Sequence, residues 1–271
     1  MMSLPEESAD RALSDETPEP SAADASAGLH SLRVGRKAMA CTFEVIFNAG
    51  DNAEATDWAI EALDAVDAVE SLLTVHQESS EASRLNRLAS DGPCEVSHEM
   101  LDVLVRSHAL WERSAGAFDP ATGALVRAWG FHQRQGRVPE AQALAQARAA
   151  SGMASVQIDV TARHVRFLVP GLALTFAAIG KGWAVDRAFE CLHERVGGGL
   201  NVLIKGGASS VRAAGSQGSL SGRTGWNVGL VHPAKPASRL ATFTLRNRSL
   251  GTSGSQTQFF VHRGRRLGHL L

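Results

Sequence analysis

The run Ala178-Ile-Gly-Lys-Gly-Trp-Ala-Val-Asp186 constrains this chain most, because an apolar segment ends there, glycines turn the backbone around one lysine, and a helical pattern begins. The spacing predicts a helix from Gly182 to Arg195 with Trp183, Val185, Phe189 and Leu192 on its apolar stripe. The first N–H groups of such a helix have no intrahelical acceptor and point outward. Lys181 adds a full charge beside them, so the junction suits an anion, above all a phosphate. An ordinary strand-turn-helix carries the same residues, so a ligand needs support from elsewhere in the chain.

Familiar phosphate motifs do not account for the turn. A P-loop needs glycine at Thr175 and a hydroxyl residue at Gly182, and both positions fail. The cluster Gly197-Gly198-Gly199 follows a helix and has Val202 where the third glycine of a dinucleotide fingerprint belongs. No histidine spacing fits a metalloprotease, and no Gly-x-Ser-x-Gly elbow occurs.

A chain of 271 residues with 44% hydrophobic composition can bury a proper core. Its net charge of −1, with both signs interspersed, leaves no electrostatic footprint for nucleic acid or an anionic membrane. Cys41, Cys94 and Cys191 show no paired spacing, against both a disulfide framework and a cysteine zinc site. No apolar run approaches a membrane span, and the N-terminus lacks the basic-then-apolar order of a signal peptide, so the expected location is cytoplasmic.

Residues 1–30 are rich in Ser, Ala, Asp, Glu and Pro and read as a disordered tail, leaving 31–271 as the folded domain. A first strand is expected over Ala40–Phe47, then a helix with Trp58, Ala62, Val66, Val69 and Leu73 on one apolar face. Ser97 reads as the N-cap of a second helix that turns Leu101, Leu104, Val105, His108 and Trp111 inward and stops near Gly116. A third, more exposed helix follows Pro139. From Val156 the texture changes to short strands: Val156–Asp159, Val165–Leu168, Leu172–Phe176, Asn201–Lys205, Trp226–Val231, Leu240–Leu245 and one near Phe259. Early helices and later strands with hairpin-like separations predict a mixed α+β fold with an antiparallel or mixed sheet, and not a doubly wound one.

Several separated motifs share one order and spacing. They are Met39-Ala-Cys-Thr-Phe-Glu-Val45, Ser80-Glu-Ala-Ser-Arg-Leu-Asn86, Gly116-Ala-Phe-Asp-Pro-Ala-Thr-Gly123 continuing to Trp129-Gly-Phe131, the lysine turn, and Lys205-Gly-Gly207. Trp226-Asn-Val-Gly-Leu-Val-His-Pro233, Gly251-Thr-Ser-Gly254 and Gly268-His-Leu-Leu271 complete the set. From Arg33 to Leu271 the chain thereby resembles the ApbE family of flavin transferases, the FAD:protein FMN transferases. The resemblance implies that FAD is split at its pyrophosphate, FMN is joined to a Ser or Thr hydroxyl of a target protein, and AMP leaves. Such chemistry relies on positioning and positive charge around the phosphoryl oxygens, normally with magnesium.

By resemblance, FAD is held by Met39, His76, Ala117, Phe118, Asp119, Thr175, Lys181 and Leu271. His269 stands where a His-x-x-Asp-Pro motif begins, as the candidate proton acceptor, and Ala178 maps to one ligand of the family's Mg2+ site. Asp119 has a competing role, since an Asp-Pro turn can be closed by hydrogen bonds from nearby N–H groups.

This chain departs from the family pattern in places. The family's Asp-Leu-Gly-Gly is Thr175-Phe-Ala-Ala178 here, which replaces a carboxylate facing the flavin by a neutral hydroxyl. A usual tyrosine is His76, whose imidazole can still stack on a flat ring with less area. Gly-Gly-Asp is Gly206-Gly-Ala208. The sequence stops at Leu271, where the family continues to an acidic magnesium-binding segment, so the domain is expected to lack its C-terminal part. A non-catalytic FAD- or nucleotide-binding protein on the same fold is therefore the alternative expectation.

Overall fold

In the computed structural model, residues 30–133, 135–218, 224–254 and 258–270 are described; the expected tail, except its last residue, lies outside them. Strands β1 (Ser31–Ala38) and β2 (Cys41–Asn48) form an antiparallel hairpin closed by Met39-Ala40. Both turn residues have positive φ, 50° and 58°, as a tight two-residue hairpin turn demands. Helix α1 (Ala55–Leu73) buries Trp58, Ala62, Val66, Val69 and Leu73, the face its periodicity specifies.

Helix α2 (Glu81–Leu88), the short strand β3 (Cys94–Glu95) and helix α3 (His98–Arg113) follow. Ser97 caps α3 as expected, its Oγ accepting from the Met100 N–H at 3.1 Å. The inward face of α3 is corrected: Met100, Leu101, Val103, Leu104 and Ser107 are buried, Val105 is exposed, and His108 and Trp111 are half-buried. Helices α4 (Gly123–Ala128) and α5 (Ala141–Ala149) come next, and α5 is largely exposed apart from Ala147. Strands β4 (Val156–Asp159) and β5 (His164–Phe167) join β3 in a small sheet of order β3-β5-β4.

No strand forms over Leu172–Phe176. Its backbone groups have other partners: the Asn86 amide takes both the N–H and the C=O of Leu174, Pro120 O accepts from Thr175 N, and Ala173 O accepts from Gly123 N. An apolar run whose hydrogen bonds are met by a side chain and a neighbouring loop needs no ladder.

Helix α6 (Gly180–Val196) starts at Gly180, earlier than the expected Gly182. Strands β6 (Val202–Gly206), β7 (Ser210–Ala214), β8 (Trp226–His232), β9 (Lys235–Leu245), β10 (Arg248–Gly251), β11 (Phe259–His262) and β12 (Arg265–Gly268) complete the described chain. The main sheet runs β1-β2-β6-β7-β10, antiparallel at every pairing. One face of it, with Phe43, Val45, Phe47, Val202 and Ile204, joins the core shared with α1 and α6. The opposite face, with Ile46, Leu203 and Val211, packs on Trp226 and Leu245. Alternation along β2 and β6 sorts their side chains between these two cores. The fold is the mixed α+β arrangement expected. No helix among the described residues is long and apolar enough to cross a membrane.

Candidate active site

Three of the separated motifs, those of Met39, Gly116–Gly123 and the glycine-rich end of β6, approach the start of α6. Its N-cap, Ile179, supplies no side-chain hydrogen bond. Among the described residues, no acceptor takes the N–H of Lys181 or Gly182, and no carboxylate pairs with the half-buried Lys181 ammonium. Donors and a cation therefore stand together at the positive end of a long helix, which favours an anion.

Met39 packs directly on this end. A Cβ at Gly180 would lie 3.3 Å from Met39 Cε and 3.7 Å from Leu73 Cδ1, so glycine there lets the hairpin turn approach the helix. The turn is also held by a 2.7 Å hydrogen bond from the Met39 N–H to Glu70 Oε1, a partner 31 positions away that no motif marks.

The Ala117-Phe118-Asp119 segment comes alongside through Pro120 O and Thr175 N, at 2.8 Å. A Cβ at Gly123 would sit 2.7 Å from Ala173 O, so the Asp-Pro-Ala-Thr-Gly motif ends in a glycine where two backbones touch. Asp119 takes its structural role: Oδ1 accepts from Ala121 N at 2.7 Å and Oδ2 from Met153 N at 3.0 Å. Ala117 is exposed and Phe118 half-buried beside it. Thr175 is half-buried, and Ala178 is exposed with only its backbone carbonyl to offer.

The glycine-rich strand end also reaches this region. Gly207, at φ 60°, donates to Thr42 O at 2.9 Å, and Thr252 of the Gly-Thr-Ser-Gly motif donates its N–H to Ser209 O at 2.9 Å.

A second group is aromatic. His76, exposed shortly after α1, stacks on half-buried His132 with ring centroids 4.8 Å apart and planes at 19°. Burial, then the neighbouring His76 and Arg127, lower the His132 pKa below the ordinary imidazole value. Adjacent Phe131 meets the His269 ring edge-on at 6.4 Å and Phe260 at 5.8 Å. His269 Nδ1 lies 3.1 Å from Gln258 O. With the proton on Nδ1 donated to that carbonyl, Nε2 is left as a proton acceptor. His76 and His269 thus belong to one aromatic cluster, whereas Met39, Asp119, Thr175, Ala178 and Lys181 gather at the start of α6. Chain continuity ties the two groups, since His76 closely follows Leu73 and Phe131 closely follows α4. Leu271 lies outside the described residues. His132 and Glu70 carried no signal in the sequence, because their contacts join distant positions.

The described residues contain no group of three or more His, Cys, Asp or Glu side chains able to hold a metal ion. Both Asp119 oxygens are engaged by backbone, so this donor set does not fit the several oxygens a magnesium ion requires.

The sequence model of the ApbE family matches residues 39–271. The chain is similar to a FAD:protein FMN transferase of Klebsiella pneumoniae, 28% identical over 201 residues, covering 72% of this chain and 55% of the relative. It is 30% identical over 211 residues to a FAD:protein FMN transferase of Treponema pallidum, covering 72% and 56%. The chain thus spans little more than half the length of these curated relatives. Its fold is similar to the crystal structure of the ApbE protein of Thermotoga maritima, with a TM-score of 0.79 at 22% identity over 89% of this chain and 76% of that one. For the apo flavinyl transferase ApbE of Pseudomonas stutzeri the TM-score is 0.74 at 24% identity, over 89% and 73%. By the extent of the family match, the chain belongs to the ApbE family.

Proposed function

We propose that this chain transfers FMN from FAD to a Ser or Thr hydroxyl of a target protein and releases AMP. The observation that carries the reading is the meeting of motifs from distant parts of the chain at the start of α6, around unpartnered N–H donors and Lys181. The names of the relatives in Klebsiella pneumoniae and Treponema pallidum support the same reaction.

The FAD pyrophosphate lies against the N–H groups of Lys181 and Gly182, where the lysine charge and the helix end offset the negative oxygens. Met39 and Thr175 border the nucleotide, and His76 offers its ring face to the isoalloxazine. The acceptor oxygen attacks the phosphorus that carries the ribityl chain, the bond from that phosphorus to the bridging oxygen breaks, and AMP leaves with that oxygen. His269 Nε2 takes the hydroxyl proton. Asp119 acts through the backbone, holding the 119–123 loop against Ala173 and Thr175. The described residues offer magnesium no fitting donor set, so Lys181 and the helix N–H groups are what offset the phosphoryl charge.

Incubation with FAD, a magnesium salt and a candidate acceptor protein tests the reading. The expected result is AMP release matched by flavin fluorescence that stays on the acceptor after denaturation. A second reading, non-catalytic binding of FAD, is favoured by Thr175 and Ala208 in place of carboxylates and by the lack of an acidic cluster among the described residues. FAD binding with neither product establishes it.

A further inference from the structure

The strongest feature outside the motifs is the contact between His76 and His132. His132 was singled out by no motif, yet its ring lies nearly parallel to that of His76 at 4.8 Å, the closest ring pair described in the chain. His76 is exposed near the start of the α1–α2 connection, whereas His132 is half-buried in the short helical turn Phe131–Gln133, whose Phe131 packs on Phe260 and His269. An exposed imidazole has many rotamers, and a flat partner behind it selects one. Stacking needs at least one neutral ring, because two imidazolium ions repel each other.

We propose that His132 is a positioning residue for the flavin ring: it backs His76 and holds its imidazole face-on to the ligand, and the support weakens as His132 takes up a proton in acid. The proposal rests on the flavin reading above and names a regulation of that site by pH. The groups that face His132 are His76, from the α1–α2 connection, and Arg127, from α4, and both oppose its protonation after burial has already done so. Its folded pKa is therefore below the ordinary value of 6.5. The contribution of neutral His132 is complete above pH about 6.5 and is lost as pH falls through its lower folded pKa.

The test pairs a binding measurement with one that needs no ligand. FAD affinity is measured by quenching of flavin fluorescence between pH 5 and 8, values spanning the ordinary imidazole range of about 6.5, for the wild-type chain, His132→Phe and His132→Ala. The expected result is wild-type affinity falling several-fold on the acid side. His132→Ala should bind at every pH about as weakly as the wild type does in acid, so that the gap between them closes toward pH 5. His132→Phe, which keeps a flat ring and cannot protonate, should match the wild type at pH 8 and lose less in acid. Histidine NMR titration, without FAD, should show His132 protonating below the ordinary range and moving up in His76→Phe.

Equal affinities and pH profiles in wild type, His132→Phe and His132→Ala overturn the proposal. So does a His132 titration indifferent to His76. If FAD binds at no pH while the NMR coupling is present, the flavin reading itself is overturned, and with it any role of the pair toward that ligand.

Discussion

Ala40 has φ 58°, in the left-handed region where a Cβ is disfavoured, and it is exposed, so nothing in the core requires its methyl group. Ala40→Gly should raise the unfolding free energy by about 1 kcal/mol, read from the urea midpoint at unchanged slope. No gain would mean that the turn relaxes without strain. Deeper in the hairpin, Glu44 faces Lys205 directly across β2 and β6, with Arg33 also in reach. Burial pushes the Glu44 carboxyl up, but hydrogen bonding and charge from Lys205, then Arg33, outweigh it and leave its pKa below the ordinary 4.5. A depressed carboxyl contributes stability that is present above 4.5 and is lost as pH falls through the lower folded value. Glu44→Gln should therefore be less stable than the wild type at neutral pH, with the gap closing in acid. Parallel stability curves from neutral pH into acid would contradict this.

The clamp between Asn86 and Leu174 does the work of a strand pairing at the scale of an element. Asn86→Ala strips hydrogen bonds from the backbone of Leu174, which is 1% exposed, and leaves both groups dry. A loss of about 2–4 kcal/mol is expected in chemical denaturation, with faster amide exchange around Leu174. A loss under about 0.5 kcal/mol, the range of ordinary surface changes, would show that water replaces the amide. This element also shows what can be read from a sequence. Helix α1, the cap at Ser97 and strands β4, β6 and β8 were legible because their periods and caps are local. Leu172–Phe176 has the residues of a strand but takes its partners from positions 86 and 120–123, which no local pattern reveals. Strand β1 has no clear strand signal because it is an edge strand with three basic residues and little buried apolar surface. Of the candidate site, Lys181, Met39 and the Asp119 loop stand in motifs, whereas His132 and Glu70 are brought to their partners only by the fold.

The whole molecule places the positive end of α6, the hairpin turn of β1 and β2, and the glycine-rich end of β6 on one side of the main sheet's core. That arrangement supplies cationic and N–H groups to an anion but, among the described residues, no carboxylate cluster. Titration of the chain with magnesium alone should accordingly show weak binding, without saturation at about 1 mM, the regime of undedicated oxygen sites. Tight saturable binding would reveal ligands that the described residues do not supply.

Calorimetry of the wild-type chain and Lys181→Ala, with FAD and with NAD, decides whether the start of α6 holds the pyrophosphate of FAD. FAD should bind more tightly than NAD, with Lys181→Ala losing about 1–3 kcal/mol toward FAD, roughly a 5-fold to 150-fold fall in affinity. Equal or tighter binding of NAD, or a Lys181→Ala variant within about 0.5 kcal/mol of the wild type, would contradict it.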